Sequence, residues 1–168
     1  MAGSAPPTAL SSAPVPAVVR EFLAAHHTMT LATCTDARPW AAAVFYACDE
    51  RCALYFVSDP GTRHAREAHH NPQVAAAIHG HDQEWRHLQG IQMEGRLEVV
   101  SAERRAAAED LYLKRFPELA RLLESPVDEQ ESRVRERFAA ATFYVFEPRL
   151  LRFIDNTRGF ASRQEWTL

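Results

Sequence analysis

Lysine is almost missing from this sequence: Lys114 stands alone, and every other basic residue apart from histidine is arginine. The 19 basic and 22 acidic side chains leave a formal charge of -3, so no global field draws the chain toward nucleic acid or anionic lipid. Cysteine is scarce as well. Cys34, Cys48 and Cys52 are odd in number and lack CxxC spacing, which excludes a disulfide framework and points to a reducing compartment, with all three as free thiols. No run of about 18 apolar residues occurs, so no membrane span is expected. Residues 1–16, "MAGSAPPTALSSAPVP", carry neither the basic start nor the apolar stretch of a secretory signal. Residues 1–15 therefore read as a disordered leader, residues 16–168 as one domain, and cytoplasmic residence as the default.

What is present has globular proportions, with 46% hydrophobic and 24% charged residues. Val18, Val19, Phe22 and Leu23 recur at helical spacing after Pro16, giving a short amphipathic helix to about His26. "TMTLATCTD" then alternates with a period of two, as a half-buried strand does, until "ARP" breaks it. "WAAAVFYAC" and "CALYFVSD", separated by the charged turn "DER", read as a β-hairpin. Further strands are expected in "QVAAAIHG", in "EWRHLQGIQMEGRLEVVS" with a bulge at Gly95, and in "ATFYVFEP" and "LLRFIDNT". Ser101 is the expected N-cap of the helix "AERRAAAEDLYLKRF", which Pro117 redirects into "PELARLLE". Short antiparallel strands with few helices between them indicate a β-barrel with peripheral helices.

The densest chemistry lies in "SDPGTRHAREAHHNP", Ser58 to Pro72. Gly61 lets backbone approach a ligand, Thr62 brings a hydroxyl and a helix N-terminal amide, and Arg63 a planar cationic fork; Ser58 adds a hydroxyl from the strand end. Together they could hold a phosphate without a Walker-type loop, which is absent. The same residues also suit a capped helix with a solvated arginine, and spacing alone does not choose between the two.

"LYFVSDPGTRHAREAHHNPQVAAAI" resembles the strand, phosphate-gripping turn and helix of the pyridoxamine 5'-phosphate oxidase-like split barrels. "TRHA", "GIQMEG", "RFP" and "DNTRGF", in that order, resemble the YhbP-like branch of that superfamily, over about residues 16 to 166. The resemblance implies a mainly β protein, a six-stranded antiparallel Greek-key split β-barrel with peripheral helices. It further implies a homodimer holding FMN at the subunit interface. Carried over by position, Ser58, Thr62, Arg63 and His64 would grip the phosphate, His64 standing where the oxidases have lysine. Val44 and Phe45 would lie nearest the flavin ring, and Ala42 replaces an arginine of the oxidases. Gln92 would reach a polar atom of the ring, and Asn156 and Thr157 would approach the pocket. The tail departs from the branch pattern at Ala161 and Arg163.

The eight histidines include the pairs His26-His27 and His69-His70, but neither HExxH nor a Cys/His spacing is present, and no metal is expected. Trp40, Trp85 and Trp166 are expected in the core or at a dimer interface. No side chain is nominated as a catalytic acid or base. The expectation is an FMN-dependent oxidoreductase acting on an unidentified small molecule. A barrel that binds haem or another ligand, or a cofactor-free dimeric interaction module, is the alternative.

Overall fold

The computed structural model describes residues 10–11, 15–81 and 84–168, so most of the expected leader lies outside the described residues. The strands are β1 (Leu10–Ser11), β2 (Thr28–Thr35), β3 (Arg38–Phe45), β4 (Ala47–Cys48), β5 (Leu54–Ser58), β6 (Gln73–His79), β7 (Gln89–Val99), β8 (Thr142–Asp155) and β9 (Arg163–Thr167). The helices are α1 (Ala17–Ala25), α2 (Arg63–His70), α3 (Ala102–Arg115), α4 (Pro117–Glu124) and α5 (Glu129–Ala140). Among the described residues the architecture is a curled, essentially antiparallel sheet with five α-helices, and it has nine strands rather than the six expected.

The chain path explains the difference in number. Hydrogen-bonded neighbours run β3-β2-β6-β7-β8-β5-β4, and β4 is the continuation of β3 beyond Tyr46, so the path returns on itself. Tyr46 is the pivot: its N–H donates to the His27 carbonyl at 2.9 Å and its buried hydroxyl to the Leu23 carbonyl at 2.8 Å, fixing the bend against α1. The expected hairpin around "DER" is accordingly only a two-residue ladder, Ala47 and Cys48 facing Tyr55 and Leu54. The longer hairpin is β2–β3, turned through Asp36 and Ala37, both with positive φ as a two-residue hairpin turn requires.

"ATFYVFEP" and "LLRFIDNT" form one strand, β8, which pairs β5 with its first half, β7 along most of its length and β9 with its second half. Pro148 does not end it, because it lies opposite Gly95 at the irregularity between Glu94 and Gly95, where a missing ladder donor is tolerated. Gly95 is required there: a Cβ would meet the Glu147 carbonyl oxygen at 2.2 Å and Pro148 Cα at 2.7 Å. Trp85 to Leu88 precede β7 as turn and coil instead of extending it, and the aromatic tail supplies β9, with Leu10–Ser11 paired to it in parallel.

Two apolar clusters hold the elements together. One fills the sheet interior with Met29, Leu31, Leu54, Phe56, Ile91 and Leu151, against Val19 and Leu23 of α1. The other lies on the far side of β5 and β8, where Tyr112, Phe138 and Phe143 meet ring to ring under α3 and α5, at centroid distances of 5.8 Å for the two pairs made by Phe143. β5 is thus buried on both faces, which is why "ALYFV" reads as an unbroken apolar run. Among the described residues no helix is long and apolar enough to cross a membrane.

Candidate functional site

The sheet places the end of β5 beside the first turn of α2, and three of the expected side chains meet there. Ser58 Oγ lies 2.9 Å from His64 Nε2 and 3.2 Å from Thr62 Oγ1, and Thr62 Oγ1 lies 3.2 Å from His64 Nε2, a closed triangle of polar atoms. The turn is held from below, with Gly61 N–H donating to Asp59 Oδ1 at 2.6 Å and the Thr62 hydroxyl to the Asp59 carbonyl at 2.8 Å. Thr62 occupies the N-cap position of α2, yet its hydroxyl accepts none of the helix amides. The capped-helix alternative therefore does not describe it. His64 is buried against Phe56, and that burial lowers its pKa, opposed by the Glu67 carboxylate. Near neutral pH this favours the neutral imidazole, whose Nε2, in the tautomer that carries hydrogen there, donates toward the hydroxyls.

Arg63 turns the other way. Its Nε donates to Glu67 Oε1 at 2.6 Å, one helical turn on, and its guanidinium lies 4.5 Å from the centre of the Trp40 ring. Glu67 Oε2 accepts from the buried Thr33 hydroxyl at 2.5 Å. Thr33 and Trp40 are register partners on β2 and β3, so α2 is tied to that hairpin by a single chain of contacts: Trp40, Arg63, Glu67, Thr33. The Thr33 and Arg63 hydrogen bonds hold the Glu67 carboxyl below its ordinary value. Neither Glu67 nor Trp40 stood among the expected site residues. The signal for Glu67 was its i,i+4 spacing from Arg63.

The other expected residues are distributed differently. Val44 and Phe45 alternate: Val44 faces inward beside Met29, whereas Phe45 is 61% exposed on the outer face and meets Phe116 edge-on at 5.8 Å. Ala42 shares the inward face with Trp40 and Val44. Gln92 lies on the outer face in the cross-strand row Ala43, Thr30, Ala77, Gln92, three strands from β3 or roughly 14 Å, and accepts from Arg152 Nη1 at 3.2 Å. It is remote from the triangle. Asn156 and Thr157 build the turn after β8: Asn156 Nδ2 donates to the Trp85 carbonyl at 2.6 Å and the Thr157 hydroxyl to Asp155 Oδ1 at 2.6 Å. Burial by itself would raise the Asp155 carboxyl, but hydrogen bonds from Thr157 and Gln89 bring it below its ordinary value.

Among the described residues no three His, Cys, Asp or Glu side chains converge as metal ligands. His26 instead stacks between Phe22 and His81, at 4.0 and 5.1 Å. All three cysteines are free thiols.

The family model described as pyridoxamine 5'-phosphate oxidase matches residues 15–153. The UPF0306 protein YhbP of Salmonella arizonae is 30% identical over 149 residues, covering 88% of this chain and 90% of the relative. The chain belongs to the pyridoxamine 5'-phosphate oxidase family, on its UPF0306/YhbP branch. Among solved structures, a haem-binding protein of Mycobacterium smegmatis superposes with a TM-score of 0.67 at 19% identity, over 91% of this chain and 59% of that one. An FAD-binding protein of Mesorhizobium loti superposes with a TM-score of 0.61 at 20% identity, over 83% of this chain and 94% of that one. Both likenesses are of fold: the split barrel is common to proteins that bind flavin and proteins that bind haem.

Proposed function

We propose that this protein is an FMN-binding flavoprotein, an oxidoreductase acting on a small molecule, with the flavin seated between two copies of the chain. The observation that carries the reading is the Ser58–Thr62–His64 triangle at the head of α2, from which Arg63, next in the chain, is turned toward Glu67 and Trp40. The Ser58 hydroxyl and the His64 imidazole can supply hydrogen bonds without charge, the Thr62 proton being given to the Asp59 carbonyl, and the helix terminus favours an anion. One guanidinium, shared with Glu67, adds a single cation. That donor set fits a phosphate monoester better than the larger charge of a pyrophosphate.

The bound flavin would supply the hydride or electron chemistry. The chain's own part is to anchor the phosphate through Ser58, Thr62, His64 and Arg63, and to lay the backbone of β3 from Ala42 to Phe45 along the ring. Homodimerisation is supported by β3 itself: its outer edge has no strand partner among the described residues, and Trp40, Ala41, Ala43 and Phe45 are exposed along it. Cytoplasmic residence accords with the three unbridged thiols.

The visible absorption of the purified protein, with FMN added and the excess removed, tests the reading. Retained flavin supports it, and Arg63→Ala should then weaken FMN about tenfold to a hundredfold, as loss of a charge-assisted contact does. Unchanged affinity would remove Arg63 from the grip. The second reading, haem in place of flavin, is supported by neighbours described as haem proteins, the Mycobacterium smegmatis protein among them. A Soret band abolished by changing one histidine would support it, and a protein colourless with either group would leave the cofactor-free dimeric module.

A further inference from the structure

α2 has a second side. Behind it, away from Arg63 and Glu67, a cleft of about 580 Å³ opens between the helix and the ends of β7 and β8. Its floor is apolar. Ala65 and Ala68 of the helix face Tyr144 and Val99, and Val99 is 60% exposed although Leu97, two residues earlier on the same strand face, is buried. The inward face of β7 therefore runs out from under the core into water, leaving apolar surface whose burial would contribute about 25 cal/mol per Å².

The rim is cationic. Arg66 makes no ion pair among the described residues, and its guanidinium donates to the Gly61 carbonyl, which leaves further N–H groups of the fork for a ligand. Arg96 stands opposite, bonded to Glu98 at 2.6 Å. The other polar groups at the rim are His69 and His70, and the Nδ1–H of His70 donates to the Arg66 carbonyl at 2.7 Å. Two guanidiniums against one carboxylate leave a net single positive charge over an apolar floor, in a space of the size small-molecule sites occupy.

We infer that this cleft binds a small amphipathic organic anion, a carboxylate on an aliphatic or aromatic body, whose charged end lies at Arg66 and whose apolar body covers Val99 and Tyr144. The site is independent of the flavin reading, because its lining excludes Ser58, Thr62, Arg63 and His64.

The test is a fluorescence titration of the full chain with 1-anilinonaphthalene-8-sulfonate, an apolar body carrying one anionic group, performed with and without saturating FMN. The cleft predicts saturable binding at one site per chain, unaffected by FMN, displaced by decanoate and not by inorganic phosphate. Arg66→Ala should weaken it about tenfold, by loss of a charged contact. Val99→Glu, on an exposed strand position, should abolish it by placing a carboxylate on the floor. Absence of saturable binding, binding unchanged in both variants, or displacement by FMN or by phosphate would each overturn the inference. Flavin absorbance of the same two variants reports separately on the other side of α2, so failure of one site is distinguishable from failure of the other.

Discussion

The two halves of the sheet handle their edges and charges in opposite ways. In the β7–β8–β9 half β7 and β8 are the longest strands among the described residues, the outer edge of β9 is covered by Leu10–Ser11, and the outer face carries the bonded row Gln92, Arg152, Glu165. In the β2–β3 half the edge strand has no second neighbour among the described residues, and its outer face presents Ala41, Ala43 and Phe45 above the small residues Thr30 and Ala32. An uncovered edge with exposed aromatics is a liability that folded proteins usually blunt with charge or a cover. Along Trp40 to Phe45 the blunting is partial: Arg63 lies over Trp40 and Phe116 meets Phe45 edge-on, while Ala41 and Ala43 stay exposed. The difference teaches that one half closes its edge with the chain's own residues, while the other leaves a backbone edge open among the described residues.

The comparison breaks first at Gly95, if it is wrong. Gly95→Ala places a Cβ against the Glu147 carbonyl and Pro148 Cα, both backbone, and neither strand can give way without disturbing the β7–β8 ladder. The expected loss is about 3 kcal/mol in urea unfolding, the upper range for overpacking a rigid contact. A variant unfolding at the parent midpoint would mean that the bulge is not the rigid part of the sheet. Phe45→Asp tests the other half. It should leave the unfolding midpoint nearly unchanged and weaken self-association by about 2 kcal/mol, roughly thirtyfold, read by sedimentation across a concentration series. A variant as dimeric as its parent would put the copy–copy contact elsewhere than β3.

Glu67 sharpens the contrast within the open half. Its carboxylate holds Arg63 in place but also competes with any phosphate for that guanidinium. Because the Arg63 side chain is 39% exposed, solvent screens the ion pair and it contributes little to stability. Glu67→Gln should therefore leave stability nearly unchanged and tighten FMN binding up to about fivefold, measured by flavin fluorescence quenching. Weaker binding would show that Glu67 acts mainly to orient Arg63 and that its charge is no obstacle to phosphate.

The same contrast marks what the sequence made legible. Periodicity placed β2, β6, α1 and α3, and Gly95 within an alternating strand was enough to place the bulge. The β2–β3 hairpin was hidden because its turn is Asp36-Ala37, without the glycine that usually signals positive φ. Pro148 concealed the continuity of β8, since only the partner strand reveals that its missing N–H falls at a bulge. β9 was hidden by its charge: Glu165 is buried beside Arg152, a residue 13 positions earlier. At the site, adjacency along the chain brought Ser58, Thr62 and His64 into view together, but not the opposite turn of Arg63. That direction depends on Trp40 and Thr33, which pair only once β2 and β3 are side by side.

The smallest effect concerns His64 and the stability of the turn it completes. Its ring faces Ser58 and Thr62 from β5 and the turn, Phe56 from the core, and the Glu67 carboxylate on its own helix. Burial lowers its pKa from the ordinary 6.5, so the folded protein takes up this proton less readily than the unfolded chain does. Above about 6.5 both states are neutral and His64 adds no pH dependence. As the pH falls through 6.5 the unfolded chain binds the proton first, and stability declines until the folded-state pKa is passed. His64→Gln keeps a polar group beside the two hydroxyls but cannot titrate. Its urea midpoint should fall less than the parent's between pH 7.5 and pH 5, and the remaining histidines and carboxylates cancel in the difference. Parallel curves would mean that the ring is already protonated in the fold, and with a charged His64 beside Arg63 the open half would carry two cations toward its ligand instead of one.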